Sequence, residues 1–177
     1  MGCFFAFVFI NSCSTEPEQK IHIHHNELSQ IPDSVFKKKN LVLLDIGLEG
    51  YTLYPPLSSL GSETPDSERP KVALTELPEN LGDLSNLRSL TVSGSKIRNL
   101  PSSIIKLTKL QKLDLSMNSN LVIINELEKL KRLFNLKLLI IYGTNVSQKD
   151  LLIIKNSLSN KLRIVFTVAE FLQETNK

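Results

Sequence analysis

Apolar residues recur along the chain in one spaced pattern, apolar-X-X-apolar-Pro. The pattern occupies four short stretches, which are Leu28 to Pro32, Tyr51 to Pro55, Leu74 to Pro78 and Ile97 to Pro101. Their prolines lie 23 residues apart at every step. Because three successive equal steps are very unlikely by chance, the pattern predicts a repeat architecture.

A second apolar pattern, Leu-X-X-Leu-X-apolar, precedes the prolines and continues beyond them. It consists of Leu41, Leu44 and Ile46; Leu87, Leu90 and Val92; Leu110, Leu113 and Leu115; and Leu136, Leu139 and Ile141. Alternation with period two predicts short strands that direct every second side chain into a core. Subtracting 23 from Leu44 and Ile46 gives Ile21 and Ile23, which predicts the first strand.

These patterns together resemble the leucine-rich repeat, L-X-X-L-X-L-X-X-N-X-L, from about residue 18 onward. The Leu-Pro ending and the step of 23 are similar to a subclass found in bacterial and plant proteins. The resemblance implies an α/β solenoid with short parallel strands on a concave face and short helices or 3₁₀ turns on a convex face. A single repeat cannot bury its apolar face, so stacking of neighbours supplies the core.

The third repeat is irregular. Its strand should lie at 64–69, but this segment contains no leucine. Pro65 within it and Pro70 directly after it would each remove a ladder donor. The sequence predicts a distorted repeat with a protruding loop over 57–70, which either contacts a ligand or is merely solvated.

The C-terminal part of the chain predicts a cap for the last repeat. Asn125 could begin one helix, and Ser147 with Asp150 forms a capping box before another. A final strand is expected near Leu162 to Phe166, followed by a tail over 168–177 whose last residues, 172–177, should be frayed. The repeat domain with its cap would therefore extend over 18–167.

The first residues predict export and lipidation. An apolar run over 3–10 suits the core of a signal peptide, and Ser12-Cys13 resembles the lipobox of bacterial lipoproteins, in which the cysteine is lipidated. The resemblance implies a signal peptide over 1–12, a tether over 13–17 and a lipid anchor at Cys13. Acidic residues after Cys13 resemble an outer-face export signal, so we expect a lipoprotein of the bacterial cell envelope, in the outer membrane.

Two alternatives compete for the N-terminal run. Met1-Gly2-Cys3 suggests N-myristoylation, but Ala6 stands where that motif has Ser or Thr. The run could instead be a buried strand, and the domain would then be a cytoplasmic scaffold.

The exposed positions of the strands define the candidate binding residues, because function in this fold usually lies on the concave face. They are His22, His24, Asp45, Ser89, Thr91, Ser93, Lys112, Asp114, Leu138, Ile140 and Tyr142. Leu138, Ile140 and Tyr142, here called the apolar patch, favour a protein contact. The alternative is that a C-terminal segment folds back and covers the patch.

Charge and motifs argue against other functions. The net charge is +3 and the densest basic run is Lys37-Lys38-Lys39, which is too short to indicate nucleic-acid binding. No H-E-X-X-H, phosphate loop or G-X-S-X-G motif occurs. His22, His24 and Asp45 could converge as zinc ligands, but they are more often a polar rim.

The sequence therefore predicts a non-catalytic module, without metal or cofactor, that binds a protein or peptide. A metal-dependent enzyme using His22, His24 and Asp45 is the alternative from another class.

Overall fold

A six-stranded parallel sheet organises the part of the chain that the structure describes, and its strands follow one another in the sheet in sequence order. The computed structural model describes residues 19–24, 30–47 and 74–175. The strands are β1 (Gln19–His24), β2 (Leu41–Gly47), β3 (Ser89–Val92), β4 (Lys112–Asp114), β5 (Leu138–Ile140) and β6 (Arg163–Val165). The helices are α1 (Asp33–Phe36), α2 (Leu127–Leu130), α3 (Gln148–Ser157) and α4 (Val168–Thr175). Three 3₁₀ turns occupy Glu79–Asp83, Ser102–Lys106 and Ile123–Glu126. The predicted solenoid of short parallel strands is confirmed.

The inward leucines form the core as the spacing predicts. Leu44 pairs with Leu90, Leu90 with Leu113, and Leu113 with Leu139, and none of these four side chains has any exposed surface. Burying each leucine contributes about 2 kcal/mol. Since the strands are only a few residues long, this shared row of leucines holds each strand in register with its neighbours.

The third repeat departs from the predicted step. Leu44 and Leu90 are 46 residues apart in sequence, yet they are paired on adjacent strands. On the convex side, Asn86 Nδ2 donates to the carbonyl of Lys39 at 2.9 Å, so the return segments on either side of β2 also stack directly. Residues 64–69 lie outside the described residues. The pairing of β2 with β3 leaves no place between them for the strand predicted there.

A buried asparagine connects two repeats behind the sheet. Asn118 has no exposed surface, and its Oδ1 accepts the backbone N–H of Ser95 at 3.0 Å. Its Nδ2 donates to the carbonyls of Val92 at 2.7 Å, Leu115 at 2.9 Å and Ser116 at 3.3 Å. This is the turn role that the repeat motif assigns to its asparagine.

A carboxylate connects two return segments on the convex side. Glu79 accepts the hydroxyl and backbone N–H of Ser102 and the backbone N–H of Ser103, each at 2.8 Å. These hydrogen bonds, first that of the Ser102 hydroxyl and then those of the two N–H groups, lower the pKa of Glu79 from 4.5 to about 2.

We expect Glu79→Gln to reduce the acid sensitivity of the fold. Because the folded-state pKa is depressed, the contribution of Glu79 is fully present above pH 4.5 and is lost as pH falls toward 2. The stability difference between wild type and Glu79→Gln should therefore shrink over that window, as urea titrations at several pH values would measure. The matched control is Glu76→Gln at an exposed carboxylate of the same segment. A difference that stays constant with pH would contradict the assigned role.

The C-terminal cap matches the prediction in part. Ser147 Oγ accepts the backbone N–H of Asp150 at 3.1 Å at the start of α3, and β6 lies within the expected range. The predicted cap at Asn125 is wrong, because a 3₁₀ turn over Ile123–Glu126 precedes α2 and Glu126 occupies the N-cap position.

The predicted frayed tail is also wrong over its first part, where α4 forms. Glu170 Oε2 accepts the backbone N–H groups of Phe166 at 2.9 Å and Thr167 at 3.0 Å, and Thr167 Oγ1 accepts the N–H of Glu170. This reciprocal capping box fixes the start of the helix. The two backbone N–H groups, that of Phe166 first, lower the pKa of Glu170.

Candidate binding surface on the concave face

The side chains opposite the leucine core form rows across the sheet, because the register places equivalent positions side by side about 4.8 Å apart. The first row contains Lys20, Leu43, Ser89, Lys112, Leu138 and Arg163. The middle row contains His22, Asp45, Thr91, Asp114, Ile140 and Val165. The middle row changes from polar to apolar toward the last strands, whereas the first row mixes charged and polar residues with Leu43 and Leu138.

A histidine and a carboxylate meet at the N-terminal edge. His22 Nδ1 and Asp45 Oδ2 are 3.0 Å apart, and the side chains are 55% and 37% exposed. His24 pairs with Gly47 through the backbone, and its side chain lies outside the described part of the chain. The structure thus brings together two of the three ligands considered for zinc. Among the described residues, no group of three or more potential metal ligands occurs.

The centre of the concave face is polar and partly open. Ser89, Thr91, Ser93 and Lys112 are all partly exposed there. These side chains offer hydroxyl donors and acceptors and one ammonium group to a ligand. Ser89, Thr91 and Lys112 stand on short strands held by the leucine core, so their spacing is fixed before a ligand binds.

Asp114 is less accessible than the repeat pattern predicts. Only 7% of its surface is exposed, and its Oδ1 accepts the backbone N–H of Ser116 at 3.0 Å. Burial raises the pKa of Asp114, while hydrogen bonds from Ser116 and the charge of Lys112 act in the opposite direction. Asp114 pairs with Ile140 in the middle row and therefore lies where the polar half of the face meets the apolar half.

The apolar patch is covered by α4. The rings of Tyr142 and Phe171 have their centroids 5.3 Å apart, and Arg163 Nη1 lies 2.6 Å from Glu174 Oε2. Ile140 is 1% exposed, and Val165 beside it in the row is fully buried. The contacts correspond to the alternative in which a C-terminal segment folds back over the patch.

Known proteins share parts of this sequence and this architecture. No protein-family model matches the chain. It is 36% identical over 98 residues to the TMV resistance protein N of Nicotiana glutinosa, and 32% identical over 105 residues to the disease resistance protein RFL1 of Arabidopsis thaliana. These alignments cover 54% and 59% of the chain. The solved structure of the Leptospira interrogans leucine-rich-repeat protein LIC12759 matches 82% of the chain with a TM-score of 0.58 and 24% identity. The chain therefore has the leucine-rich-repeat fold.

This leucine-rich-repeat chain is short beside the proteins it resembles. It spans 9% and 11% of the two plant proteins and 30% of the Leptospira chain. The similarity therefore concerns the repeat scaffold, which specifies a surface and leaves recognition to the variable positions of the strands.

The residues that sequence reasoning missed lie at the C-terminal end of this repeat scaffold. Arg163 and Val165 flank the inward Ile164, so the alternation of the last strand already placed them on the concave face. Phe171 and Glu174 are three residues apart, a spacing that brings them to one side of a helix. The spacing of Phe171 and Glu174 is the signal in the sequence that could have indicated this helix.

The described part of the chain contains no helix long and apolar enough to cross a membrane. Cys13, the predicted lipidation site, lies outside the described residues.

Proposed function

We propose that this leucine-rich-repeat chain is a non-catalytic module that binds a protein or peptide on its concave face. The observation that carries the proposal is the pair of side-chain rows across six parallel strands. An extended ligand that crosses the strands meets polar groups at regular intervals, with a central open stretch at Ser89, Thr91 and Lys112. Solenoids use such extended surfaces for binding.

Paired substitutions on the two faces test the proposal. The full chain is used to capture ligands from a bacterial envelope extract, and the captured protein is then measured quantitatively against each variant. Thr91→Arg and Lys112→Glu change the concave face. Thr108→Arg and Lys106→Glu are matched changes at exposed positions of the return segments. We expect the concave changes to weaken capture at least about tenfold, as for central interface positions. The concave site would be contradicted if both concave variants still bound the ligand. It would also be contradicted if the control variants lost the ligand to the same extent as the concave variants.

The membrane anchor forms the second part of the proposal. We propose lipidation at Cys13 and an outer-membrane location in a bacterial envelope, supported by the apolar run over 3–10 and the small residue Ser12 before the cysteine. Radiolabelled palmitate should be incorporated into the wild-type chain and not into Cys13→Ala, while Cys3→Ala should remain labelled. An unlabelled wild-type protein in the cytoplasmic fraction would refute the anchor and leave the binding module to be judged separately.

A further inference from the structure

The helix α4 occupies the apolar patch by two contacts of different chemistry. Phe171 packs against Tyr142 with an interplanar angle of 30°, and Glu174 pairs with Arg163. The two residues of α4 are three positions apart, so one side of the helix presents an aromatic ring and a carboxylate. The sheet presents the complement, an aromatic ring and a guanidinium at neighbouring strands.

Burial is unequal across this contact. Ile140 and Val165 are almost completely buried, yet neither belongs to the hydrophobic core cluster on the other side of the sheet. None of the α4 side chains that the structure describes, from Val168 to Glu174, is itself buried, and Val168 and Leu172 are 51% and 41% exposed. The helix thus lies on the outside of the molecule and contacts the sheet at Tyr142 and Arg163. Segments with few buried apolar groups open at low free energy.

Charge distribution favours an acidic occupant. Lys112, Leu138 and Arg163 are consecutive members of the first row, so two cations flank the apolar patch. The sequence of α4, VAEFLQET, contains two glutamates and no basic residue. Glu170 is engaged in the capping box, which leaves Glu174 as the carboxylate that faces the cations.

We propose that the apolar patch together with Arg163 is a binding site for an amphipathic helix of a partner protein, and that α4 fills this site in the free chain. The partner helix carries an aromatic residue and, three positions later, a carboxylate. The proposal rests on the proposed function, since it assigns a class of ligand to one end of the same concave face. Helices of eight residues such as α4 are marginal by themselves, so a longer helix of the same pattern can displace it.

A peptide with the sequence of residues 166–175 serves as the probe. It is acetylated, amidated and fluorescently labelled, and its binding to the full chain is followed by anisotropy. Phe171→Ala weakens the internal occupant, so this chain should bind the peptide about tenfold more tightly than wild type, because competition by α4 lowers the apparent affinity. The matched control is Phe134→Ala, at an aromatic that is 80% exposed on a turn, and it should bind like wild type.

A charge exchange tests the geometry. The double variant Phe171→Ala, Arg163→Glu should lose the native peptide and bind a peptide with Glu174→Lys. A protein change that rescues a peptide change requires direct contact between the two positions. Peptide binding that is the same in wild type, Phe171→Ala and the double variant would overturn the proposal.

Two further results would also overturn it. A Phe171→Ala chain without a cooperative unfolding transition would show that α4 is an integral part of the fold rather than a replaceable occupant. A concentration-dependent dimer that disappears with Phe171→Ala would make a second copy the occupant. If the helix peptide fails while ligand capture still depends on Thr91 and Lys112, the helix site is refuted and the proposed function stands.

Discussion

Replacement of Asn118 by alanine should lower the free energy of unfolding by about 3–5 kcal/mol. The side chain is fully buried, and alanine would leave the N–H of Ser95 and the carbonyls of Val92 and Leu115 without their partner. Each buried group that loses its hydrogen-bond partner costs about 1–3 kcal/mol, although water that enters the site offsets part of this cost. The change should lower Tm by roughly 10 °C in a chain of this size, as measured by calorimetry.

Two further variants separate the hydrogen bonds from the loss of volume. Asn120→Ala, at an exposed asparagine two residues later, should change stability by less than about 0.5 kcal/mol. Asn118→Asp retains an acceptor for Ser95 but turns a second oxygen toward backbone carbonyls, so it should destabilise at least as much as alanine. If Asn118→Asp instead matched wild type, the Nδ2 hydrogen bonds would not carry the effect.

The role of Asn118 also bears on the binding surface. Val92 is the last residue of β3, Ser95 lies shortly after it, and Leu115 directly follows β4. Asn118 therefore connects the two strands that hold Thr91 and Lys112. A looser connection between these strands would let the open centre of the concave face move. We therefore expect Asn118 to act on ligand binding through the spacing of the rows.

The sequence predicted most of the register because the leucine pattern and the core impose the same constraint. A shift of one residue would turn Leu90 and Leu113 toward solvent, so their spacing in the sequence determines which residues pair. This is why the positions of Ser89, Thr91 and Lys112 on the concave face followed from the sequence alone.

The step across the third repeat could not be predicted from the same pattern. Two closing motifs follow β2, one ending at Pro55 and the other at Pro78, and both satisfy the spacing of 23. In the described structure the motif that begins at Leu74 stacks on the next repeat, where the carbonyl of Leu74 accepts the backbone N–H of Lys96 at 2.8 Å. Local sequence cannot decide between equivalent motifs, because the choice depends on which one stacks on the neighbouring repeats.

The covered end of the concave face required the three-dimensional structure for a different reason. The alternation correctly placed Ile140 on the face opposite the leucine core, but exposure depends on what lies above that face. Val165 pairs with Ile140 from the last strand, and Phe171 reaches Tyr142 from α4, so both approaches come from segments that are distant in sequence and are visible only in the fold.

Replacement of Glu126 by alanine should lower the free energy of unfolding by about 2–4 kcal/mol. Glu126 is 2% exposed, and its Oε2 accepts the backbone N–H of Leu100 at 3.2 Å and Lys129 Nζ at 2.7 Å. Lys129 Nζ also donates to the carbonyl of Leu100 at 2.6 Å. Glu126 and Lys129 therefore satisfy the backbone N–H and the carbonyl of Leu100, which lies in the preceding repeat. Alanine at position 126 would leave the buried N–H of Leu100 without a hydrogen-bond partner. Urea unfolding at neutral pH would measure the change.

A second ion pair in the same helical region provides the control. Glu128 and Lys131 have the same spacing in sequence and the same distance of 2.7 Å, but Glu128 is 83% exposed. Glu128→Ala should cost less than about 0.5 kcal/mol, because water solvates both charges when the pair is broken. Equal effects of Glu126→Ala and Glu128→Ala would mean that burial contributes nothing.

A double-mutant cycle identifies the source of the difference. Lys129→Met preserves the aliphatic stem and leaves Glu126 buried without its cation, so this change should also cost about 2–4 kcal/mol. Combining it with Glu126→Ala removes both charges, and the double variant should be less destabilised than the sum of the single changes, since no unpaired charge remains. Both backbone groups of Leu100 lose their side-chain partners in the double variant. Its residual loss of stability therefore includes the two hydrogen bonds to Leu100, and the non-additive part measures the coupling between Glu126 and Lys129.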